Sequence, residues 1–265
     1  MMMLRQDVKD WERFYCMSKE YMEIFEESPE VRGFFSLKYG AVKGSPYNNI
    51  NIFKELGLDK TVLVWPGQVH KTHVAVIDEK IVKYAKPRQR LSEMKSVVIP
   101  QTDGVVTNLK NVLLTTVHAD CLPLYFWDYR SKAIGLVHAG WRGTAAGIGQ
   151  KTVGKMTETY GSHPEDIQVY IGPGISQCCF ETGSEVYEEF KSKWNFTDDY
   201  VIKKDNKYYI DIKAVNRKQL ELSGVRRENI GVSSRCTCCE RDLFCSYRRE
   251  GGTYMRMGAG LCMVC

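Results

Sequence analysis

The sequence lacks the features that mark membrane, secreted and nucleic-acid-binding proteins. Apolar residues never run for 18 positions, so we expect no membrane-spanning helix. Charged residues interrupt the first twenty positions and leave no apolar core for a signal peptide. Lysines and arginines form no block of five or more, and the net charge of +5 is mild, so no nucleic-acid partner is expected. We therefore expect a cytoplasmic protein that binds neither membranes nor nucleic acids.

Signatures of nucleotide-binding folds are also missing. The chain contains no GxGxxG motif and no phosphate-binding loop, which argues against a doubly wound nucleotide fold. The predicted strands and helices interleave along the chain instead of separating into two halves. This order favours one α/β domain over residues 1–265, with mixed β-sheets and helices packed outside in α-β-β-α-like layers. Residues 1–30 are interpreted as an N-terminal extension of that domain.

Local patterns place the individual elements. Apolar runs predict strands at residues 21–25, 32–38, 62–65, 74–77, 112–117, 134–137, 167–171, 208–210 and 230–232. Helices are predicted at residues 8–17, 52–58, 144–160, 183–193 and 212–222. Asp211 is expected to cap the last helix, and Asp103-Gly104 to form a turn that leads into a strand. Residues 40–51 and 84–94 are predicted loops, and the last thirty residues are predicted to be irregular.

Three residues at strand ends can supply metal ligands. His70 follows the run 62–65, Cys121 lies just past 112–117, and His138 closes 134–137. Two imidazoles and one thiolate suit Zn²⁺, and three protein ligands leave a fourth position open. Zinc would lower the pKa of a bound water to about 7. The spacing matches no zinc finger, so a buried thiol and two unconnected core histidines are the alternative interpretation.

Two polar residues lie beside the candidate ligands. Asp120 directly precedes Cys121, where its carboxylate could orient a ligand, shuttle a proton or cap a turn. His118 lies two residues before Asp120 and so shares its face of the strand. It is either a fourth ligand, a general base or an ordinary half-buried strand histidine.

Arginines offer candidate anion sites. Arg142 follows His138 at an expected helix start, where a guanidinium beside free amides would bind an anion. A salt bridge or a stack on Trp141 is the alternative for this residue. Arg248 and Arg249 form a second candidate site for phosphate or substrate, or a solvated arginine pair.

The chain has ten cysteines, and without a signal peptide these are expected to be thiols or ligands rather than disulfides. Residues 236–245 carry four of them in the order C-x-C-C-x5-C. We interpret this order as lacking the paired C-x2-C turns of common zinc sites. Cys262 and Cys265 have the C-x2-C spacing. A structural zinc or iron–sulfur site in this region is the alternative to ordinary thiols, and Cys178-Cys179 are expected to be buried packing.

Several motifs together resemble a known family. They are Gln68-Val-His70, Thr102-Asp-Gly-Val-Val106, Ala119-Asp-Cys-Leu-Pro123, Val137-His-Ala-Gly-Trp-Arg-Gly143, Ile171-Gly-Pro-Gly174 with Cys178-Cys-Phe-Glu181, and Ser246-Tyr-Arg-Arg249. In this order they resemble the laccase-domain, or multicopper polyphenol oxidoreductase, family, whose members are regarded as zinc-dependent purine nucleoside enzymes. The resemblance covers about residues 33–257. The chain departs from the family pattern at Lys71, His73, His118 and in the cysteine-rich segment 236–245.

The resemblance implies one metal centre and one substrate class. It implies His70, Cys121 and His138 as ligands of zinc, with copper as the less favoured metal. It also implies phosphorolysis of adenosine, inosine and methylthioadenosine to free base and (methylthio)ribose 1-phosphate, with adenosine deamination as a further activity. Purine nucleosides and phosphate are therefore the expected partners. Asp120, Arg142 and Arg248 are the candidate catalytic residues, because an arginine could supply the anion subsite that phosphorolysis needs.

Two other functions use the same residues. Copper phenol oxidation needs a mononuclear copper and a trinuclear copper cluster. Imidazole is a good copper ligand, and known multicopper oxidases use about ten histidines to hold these ions. The chain has five histidines and no His-x-His pair, so its ligand count argues against that chemistry. A cysteine-dependent or metal-dependent amidohydrolase, with Cys121 as nucleophile and His138 or His70 as base, is the other alternative.

Overall fold

The fold is described from a computed structural model that covers residues 20–38, 42–43, 50–87, 94–253 and 255–264. The predicted helix at residues 8–17 lies outside the described residues. In chain order the strands are β1 (Tyr21–Ile24), β2 (Val31–Ser36), β3 (Val42–Lys43), β4 (Val62–Pro66), β5 (Val74–Val76), β6 (Lys86–Pro87), β7 (Lys95–Ile99), β8 (Gly104–Thr107), β9 (Val112–His118), β10 (Leu122–Asp128), β11 (Ala133–Ala139), β12 (Ile167–Ile171), β13 (Glu181–Thr182), β14 (Val201–Lys204), β15 (Lys207–Ile210), β16 (Ile230–Val232) and β17 (Met255–Met263). The α-helices are α1 (Ile50–Glu55), α2 (Glu79–Lys83), α3 (Trp141–Ala145), α4 (Ile148–Tyr160), α5 (Ser184–Lys191) and α6 (Ile212–Leu222).

The strands form two large mixed sheets and one small one. The eight-stranded sheet has the order β1-β2-β17-β9-β4-β7-β6, with β3 paired to β17. The six-stranded sheet has the order β16-β12-β10-β11-β8-β5, and the three-stranded sheet has the order β13-β15-β14. Most neighbours are antiparallel, but β4 is parallel to β7 and β9, β5 is parallel to β8, and β12 is parallel to β16. The expectation of mixed sheets is confirmed.

The two large sheets pack face to face around a shared core. Leu114 and Leu261 from the eight-stranded sheet and Tyr125 and Leu136 from the six-stranded sheet are fully buried in one cluster. Burial of such a side chain contributes about 1.5–3 kcal/mol. Leu113, next to Leu114 on β9, points to the opposite face, as the two-residue period of a strand requires.

Helices cover the outer faces of both sheets. Val153 of α4 and Leu220 of α6 pack on the six-stranded sheet with Leu124. Phe53 of α1 packs on the eight-stranded sheet with Leu113. These contacts confirm the predicted α-β-β-α layers. No helix within the described ranges has both the length and the apolar character needed to cross a bilayer.

The prediction that the last thirty residues are irregular holds for residues 236–253 but was wrong for residues 255–263. β17 runs through this region and pairs with β2 on one side and β9 on the other. Its glycines discouraged a strand assignment, because glycine is depleted in strands. Gly260 is needed here because a Cβ at that position would lie 2.0 Å from the Phe34 ring. A glycine can therefore mark a strand over which a neighbouring aromatic ring packs.

The helix predicted at residues 144–160 is divided in two. α3 begins at Trp141, and a break at Gly147, which has a φ of +71°, separates it from α4. The predicted end is confirmed, because Gly161 follows with a φ of +68° and its N–H bonds to the carbonyl of Thr157. The predicted cap of α6 is also confirmed, since the Asp211 carboxylate accepts from the Ala214 N–H at 2.9 Å.

The two predicted loops are only partly loops. Residues 42–43 form β3, and α1 begins at residue 50, inside the predicted segment 40–51. Residues 86–87 form β6, while residues 88–93 of the second segment lie outside the described residues. The strands β7, β10, β13 and β14 had no prediction; β7 lies in the eight-stranded sheet and β10 in the six-stranded sheet.

Candidate metal centre and cavity

The three predicted metal ligands meet at one place between the large sheets. His70 lies in the loop after β4, Cys121 lies between β9 and β10, and His138 is the penultimate residue of β11. Their ligand atoms all lie within 4.8 Å of one another. A tetrahedral zinc ion with bonds of about 2.0–2.3 Å holds its ligand atoms about 3.3–3.8 Å apart. The separation is therefore compatible with one shared ion, which small side-chain movements would complete.

A buried carboxylate that the sequence interpretation missed organises this group. Asp103 is fully buried, and its Oδ1 accepts from His138 Nδ1 at 3.0 Å. It also accepts the backbone N–H groups of Val69, His70 and Lys71 at 3.2, 2.9 and 2.8 Å. One carboxylate thus fixes the His70 loop and leaves His138 Nε2 facing the other ligands. In metal sites, a carboxylate commonly bonds the ring nitrogen of a histidine that does not bind the metal, and so orients the ring.

The Asp103-Gly104 pair had been interpreted only as a turn. Burial raises the pKa of the Asp103 carboxyl, but hydrogen bonds from His138, Lys71 and His70 outweigh burial and hold that pKa below its ordinary value. The group is therefore ionised in the folded protein. Its hydrogen-bond partners are separated from it by 32–35 residues along the chain, so no local sequence pattern could reveal them.

Gly140 makes room for all three ligands. A Cβ on this residue would lie 3.1 Å from His70 Cδ2, 3.2 Å from Cys121 Sγ and 3.8 Å from His138 Cε1. The ligand group therefore surrounds one backbone position, the glycine of the His-Ala-Gly-Trp-Arg-Gly motif. The rings of His70 and His138 meet edge to face, with centroids 4.8 Å apart.

The electrostatic environment favours the thiolate that a metal needs. Burial raises the pKa of the Cys121 thiol, but the neighbouring His138 and His70 outweigh burial and lower that pKa to about 6. Burial lowers the pKa of His138, but Cys121 and Asp103 outweigh burial and raise it to about 9. A thiolate ligand of low pKa is typical of metal and nucleophile sites.

Gln68 fastens the His70 loop to the neighbouring strand. Its side-chain amide donates to the carbonyl of Val117 at 2.8 Å and accepts from the N–H of the same residue at 2.8 Å. Both halves of the amide thus bond one backbone unit of β9, which lies four residues before Cys121. This is a structural role for the first residue of the Gln-Val-His motif.

Asp120 holds the segment that carries Arg248. Its φ is +81°, and its carboxylate accepts from Thr237 Oγ1 at 2.6 Å, from Ser246 Oγ at 3.0 Å and from the Arg248 N–H at 2.7 Å. Both carboxylate oxygens therefore have protein partners. None of these partners is a metal ligand, so the carboxylate fixes the segment around Arg248 and its catalytic role stays a prediction.

The predicted arginines have different surroundings. Arg142 stacks on Trp141 at 4.1 Å from the ring centroid, which was the alternative interpretation for this residue, and both line the cavity. Arg248 is exposed at the cavity wall, and its Nη1 donates to the Cys179 carbonyl at 3.0 Å. Arg249 does not line the cavity, because its guanidinium donates to the carbonyls of residues 237, 238 and 244. Arg249 therefore anchors backbone carbonyls, and the role in binding phosphate or substrate stays a prediction for Arg248.

His118 is not available as a fourth metal ligand. It is 1% exposed, and its Nε2 bonds Thr116 Oγ1 at 2.7 Å while its Nδ1 bonds the Cys121 carbonyl at 3.0 Å. Both ring nitrogens are therefore engaged. It packs beside His138, with ring centroids 5.5 Å apart, and supports the ligand group from the core.

A cavity of about 990 Å³ opens over the three ligands. This volume is at the upper end of the range that holds a small molecule. Aromatic and charged residues line its wall, namely Trp141, Arg142, Phe180, Glu181, Glu185, Tyr247, Arg248 and Arg256. The candidate metal ligands thus face a space with both stacking surfaces and cationic groups.

The cysteine interpretation requires correction. Cys178, Cys179, Cys236 and Cys239 bring their sulfur atoms within 4.8 Å of one another and form the four-cysteine cluster. Cys178 is exposed, so the prediction of buried packing for the 178–179 pair was wrong. Cys236 and Cys239 are a C-x2-C pair, which the predicted order C-x-C-C-x5-C had obscured. Cys245 and Cys262 are buried elsewhere in the core.

The layered fold and the His/Cys/His group under a cavity define a class of α/β protein with a candidate mononuclear metal site. The sequence profile of the family described as multi-copper polyphenol oxidoreductase laccase matches residues 42–264. The chain belongs to this family, as its motifs suggested.

Proteins similar to this chain carry nucleoside-related names. Purine nucleoside phosphorylase YlmD of Bacillus subtilis strain 168 is 31% identical over an alignment of 261 positions that covers 91% of each chain. Adenosine deaminase RL5, from an unknown prokaryotic organism, is 35% identical over 204 residues, covering 76% of this chain and 75% of RL5. The crystal structure of YlmD from Geobacillus stearothermophilus matches 95% of this chain and 98% of its own, at 27% identity and a TM-score of 0.79.

Proposed function

We propose that this protein is a zinc-dependent purine nucleoside enzyme. Its main reaction would be phosphorolysis of adenosine, inosine and methylthioadenosine to the free base and (methylthio)ribose 1-phosphate, with adenosine deamination as a second activity. The observation that carries the proposal is the convergence of His70, Cys121 and His138 beneath one cavity of about 990 Å³. The names of its relatives support the same substrate class.

The donor set fits zinc. Two imidazoles and a thiolate would hold the ion, and Asp103 would keep His138 in the tautomer that presents Nε2. When bound, zinc supplies Lewis-acid stabilisation of developing negative charge and lowers the pKa of water. Copper binds the same atoms strongly, so metal identity has to be measured on protein made without added copper.

The cavity wall supports binding of a nucleoside and an anion. Tyr247 is exposed at the cavity wall and offers an aromatic face on which a purine can stack, while the Phe180 ring lies under the Arg248 guanidinium. Arg248 engages one of its five N–H donors with the Cys179 carbonyl, which leaves other donors for phosphate. In phosphorolysis a phosphate oxygen bonds to C1′ of the ribose while the bond from C1′ to the purine nitrogen breaks. Arg248, with Arg142 beside it, would hold that phosphate, and Asp120 would position Arg248.

A second candidate function uses the same atoms without a metal. Asp103, His138 and Cys121 lie in the order carboxylate, imidazole and thiol, which is the arrangement of a cysteine nucleophile with its base. This arrangement supports a cysteine-dependent amidohydrolase. The placement of His70 against the same sulfur favours the metal, because a nucleophile needs only one base.

Copper phenol oxidation has little structural support. All five histidines lie in the described residues, and only His70 and His138 belong to a group that could hold a metal there. His118 has both nitrogens engaged, and His73 bonds Thr102 through Nδ1 at 3.0 Å. The ligands for a trinuclear copper cluster are therefore missing.

The test is an assay of inosine with and without phosphate. The proposal predicts that hypoxanthine and ribose 1-phosphate form only when phosphate is present, and that Cys121→Ser loses at least 100-fold in kcat/KM. His163→Asn, which changes an exposed histidine remote from the ligand group, is the matched control and should keep full activity. Exhaustive chelation separates the two candidates: it should abolish turnover by a zinc enzyme and leave a cysteine nucleophile active. Phosphate-independent turnover that survives chelation would refute the proposal.

A further inference from the structure

The four-cysteine cluster lies outside the ligand group described above and has the dimensions of a second metal site. Its sulfur atoms are 3.8 Å apart for Cys178–Cys179 and for Cys178–Cys236, 3.6 Å for Cys178–Cys239 and 3.3 Å for Cys179–Cys239. Four thiolates around zinc, with Zn–S bonds of about 2.3 Å, are about 3.8 Å apart along each tetrahedron edge. Three of the four measured distances are within a few tenths of an ångström of that edge.

Two separate turns present these sulfurs. Cys178 and Cys179 lie in the turn after Ile175, where the Cys179 N–H bonds to the Ser176 carbonyl. Cys236 and Cys239 lie in a second turn, in which the Glu240 N–H bonds to the Cys236 carbonyl. The spacing of the second pair is C-x2-C, which is the spacing of zinc-binding turns.

The backbone brings the two turns together independently of the sulfurs. β12 and β16 run parallel, and the pairing continues beyond them as a bridge between Gly174 and Cys236. The Thr237 N–H bonds to the Gly174 carbonyl at 3.1 Å. Because the sheet holds both turns, the cluster is built before any ion binds, which lowers the entropy cost of binding.

Backbone donors around the cluster favour thiolate. The Ser176 N–H donates to Cys236 Sγ at 3.4 Å. Burial raises the pKa of Cys236, but N–H groups of Ser176, Cys239 and Cys238 outweigh burial and lower that pKa to about 7. In contrast, burial and the neighbouring sulfurs raise the pKa of Cys178 to about 11 and raise the pKa of Cys179 still further. A divalent cation would supply the positive charge that several thiolates in this space require.

Two guanidinium groups flank the same turns. Arg248 Nη1 donates to the Cys179 carbonyl at 3.0 Å, and Arg249 Nη1 donates to the carbonyls of Thr237 and Cys238 at 2.7 and 2.9 Å. One zinc ion with four thiolates would carry a net charge of −2, and Arg248 would offset part of it. Arg249 also pairs with Glu250 at 3.0 Å, so its main role here is to hold the turn that carries Cys236 and Cys239.

We propose that the four-cysteine cluster binds one structural zinc ion, distinct from the ion of the His/Cys/His group. Four thiolates fill a tetrahedral shell, so this site has no open position for substrate. The ion links the turn whose carbonyl holds Arg248 to the turn whose Thr237 hydroxyl bonds Asp120. It thereby stiffens one wall of the cavity. A four-iron cluster does not suit sulfurs held this close together, and a disulfide, with sulfurs about 2.05 Å apart, is the competing state.

The experiment counts zinc in full-length protein purified under reducing conditions. Elemental analysis should find about two zinc ions per chain in the wild type, and about one in Cys178→Ser/Cys239→Ser, whose altered residues are both exposed. Cys238→Ala is the matched control, because this cysteine lies in the same turn but outside the cluster, and it should keep both ions. Circular dichroism and gel filtration verify that each variant is folded.

X-ray absorption at the zinc edge gives a second measurement that does not depend on any variant. Four sulfurs at one ion and one at the other predict an average of about 2.5 sulfur neighbours per zinc in the wild type. The double serine variant should show about one. A single zinc in the wild type, a mass loss of two hydrogens from a disulfide under these conditions, or loss of the second ion in Cys238→Ala would each overturn the proposal.

Discussion

Asp103→Asn is the most informative single change, because it alters the charge of the buried carboxylate and little of its shape. Asp103 Oδ1 accepts from His70 N–H and His138 Nδ1, and Oδ2 accepts from the N–H groups of Val69 and Lys71. Whichever way the new amide turns, its NH₂ group replaces an acceptor with a donor. Two N–H donors therefore lose their partner.

The size of the effect follows from those contacts. Each of the two donors left without an acceptor costs about 1–3 kcal/mol, so the metal-free protein should lose about 2–6 kcal/mol of stability. Removing a carboxylate that orients a histidine ligand weakens metal binding by about 10–100-fold, or about 1.4–2.7 kcal/mol. For a chain of this size, about 3 kcal/mol lowers Tm by roughly 6–12 °C.

The assay combines urea unfolding of metal-free protein with competition against a chromophoric zinc chelator. Both are done in the Cys178→Ser/Cys239→Ser background, so that only the His/Cys/His site is titrated. Asp78→Asn is the matched control, because this exposed carboxylate also accepts a backbone N–H, from Ile81 at 2.9 Å, but caps α2 away from the site. Because Asn caps a helix about as well as Asp, this change should alter stability by less than about 1 kcal/mol and leave zinc affinity unaltered. Unchanged zinc affinity in a folded Asp103→Asn protein would refute the orienting role.

Three further changes test other contacts of the site. Gly140→Ala should weaken zinc binding by about 10-fold, measured by the same competition, because its methyl group would lie 3.1–3.2 Å from His70 and Cys121. Gln68→Leu should destabilise the protein by about 2–3 kcal/mol in urea unfolding, because Val117 loses both hydrogen bonds to the amide. Arg248→Ala should raise KM for phosphate at least 10-fold in steady-state assays with saturating inosine, whereas an unchanged KM would remove Arg248 from the phosphate subsite.

Local sequence patterns predicted those elements whose signals lie within the element itself. The strands at residues 167–171 and 230–232 are confirmed as β12 and β16, and the Asp211 cap begins α6 as expected. These predictions depended on apolar runs and on a short-range hydrogen bond. Neither requires knowledge of which segments become neighbours.

Sequence patterns did not predict strands whose residues are determined by packing against segments distant in the chain. β17 contains Gly260 because the Phe34 ring occupies the space of its side chain. β10 contains Pro123, which is unusual in an inner strand and obscures the strand signal. Its apolar side chains are buried between the two sheets and the outer helices, so the tertiary packing decides its conformation.

The three metal ligands of the candidate site could be predicted from the sequence, but the buried carboxylate that orients them could not. His70, Cys121 and His138 each follow or close an apolar run, and the motif resemblance singles them out. Asp103 instead looks like an ordinary turn residue, because its four donors come from two other segments. A second metal site was an open alternative from the sequence, but the members of the four-cysteine cluster were not predicted, since each of its two turns contributes only half of the sulfurs.

Anomalous diffraction at the zinc edge from crystals of zinc-loaded protein tests the central claim most directly. The account predicts a peak about 2.0–2.3 Å from a ring nitrogen of His70, the sulfur of Cys121 and a ring nitrogen of His138. A map in which no anomalous scatterer contacts all three side chains, although the crystals contain zinc, would contradict it.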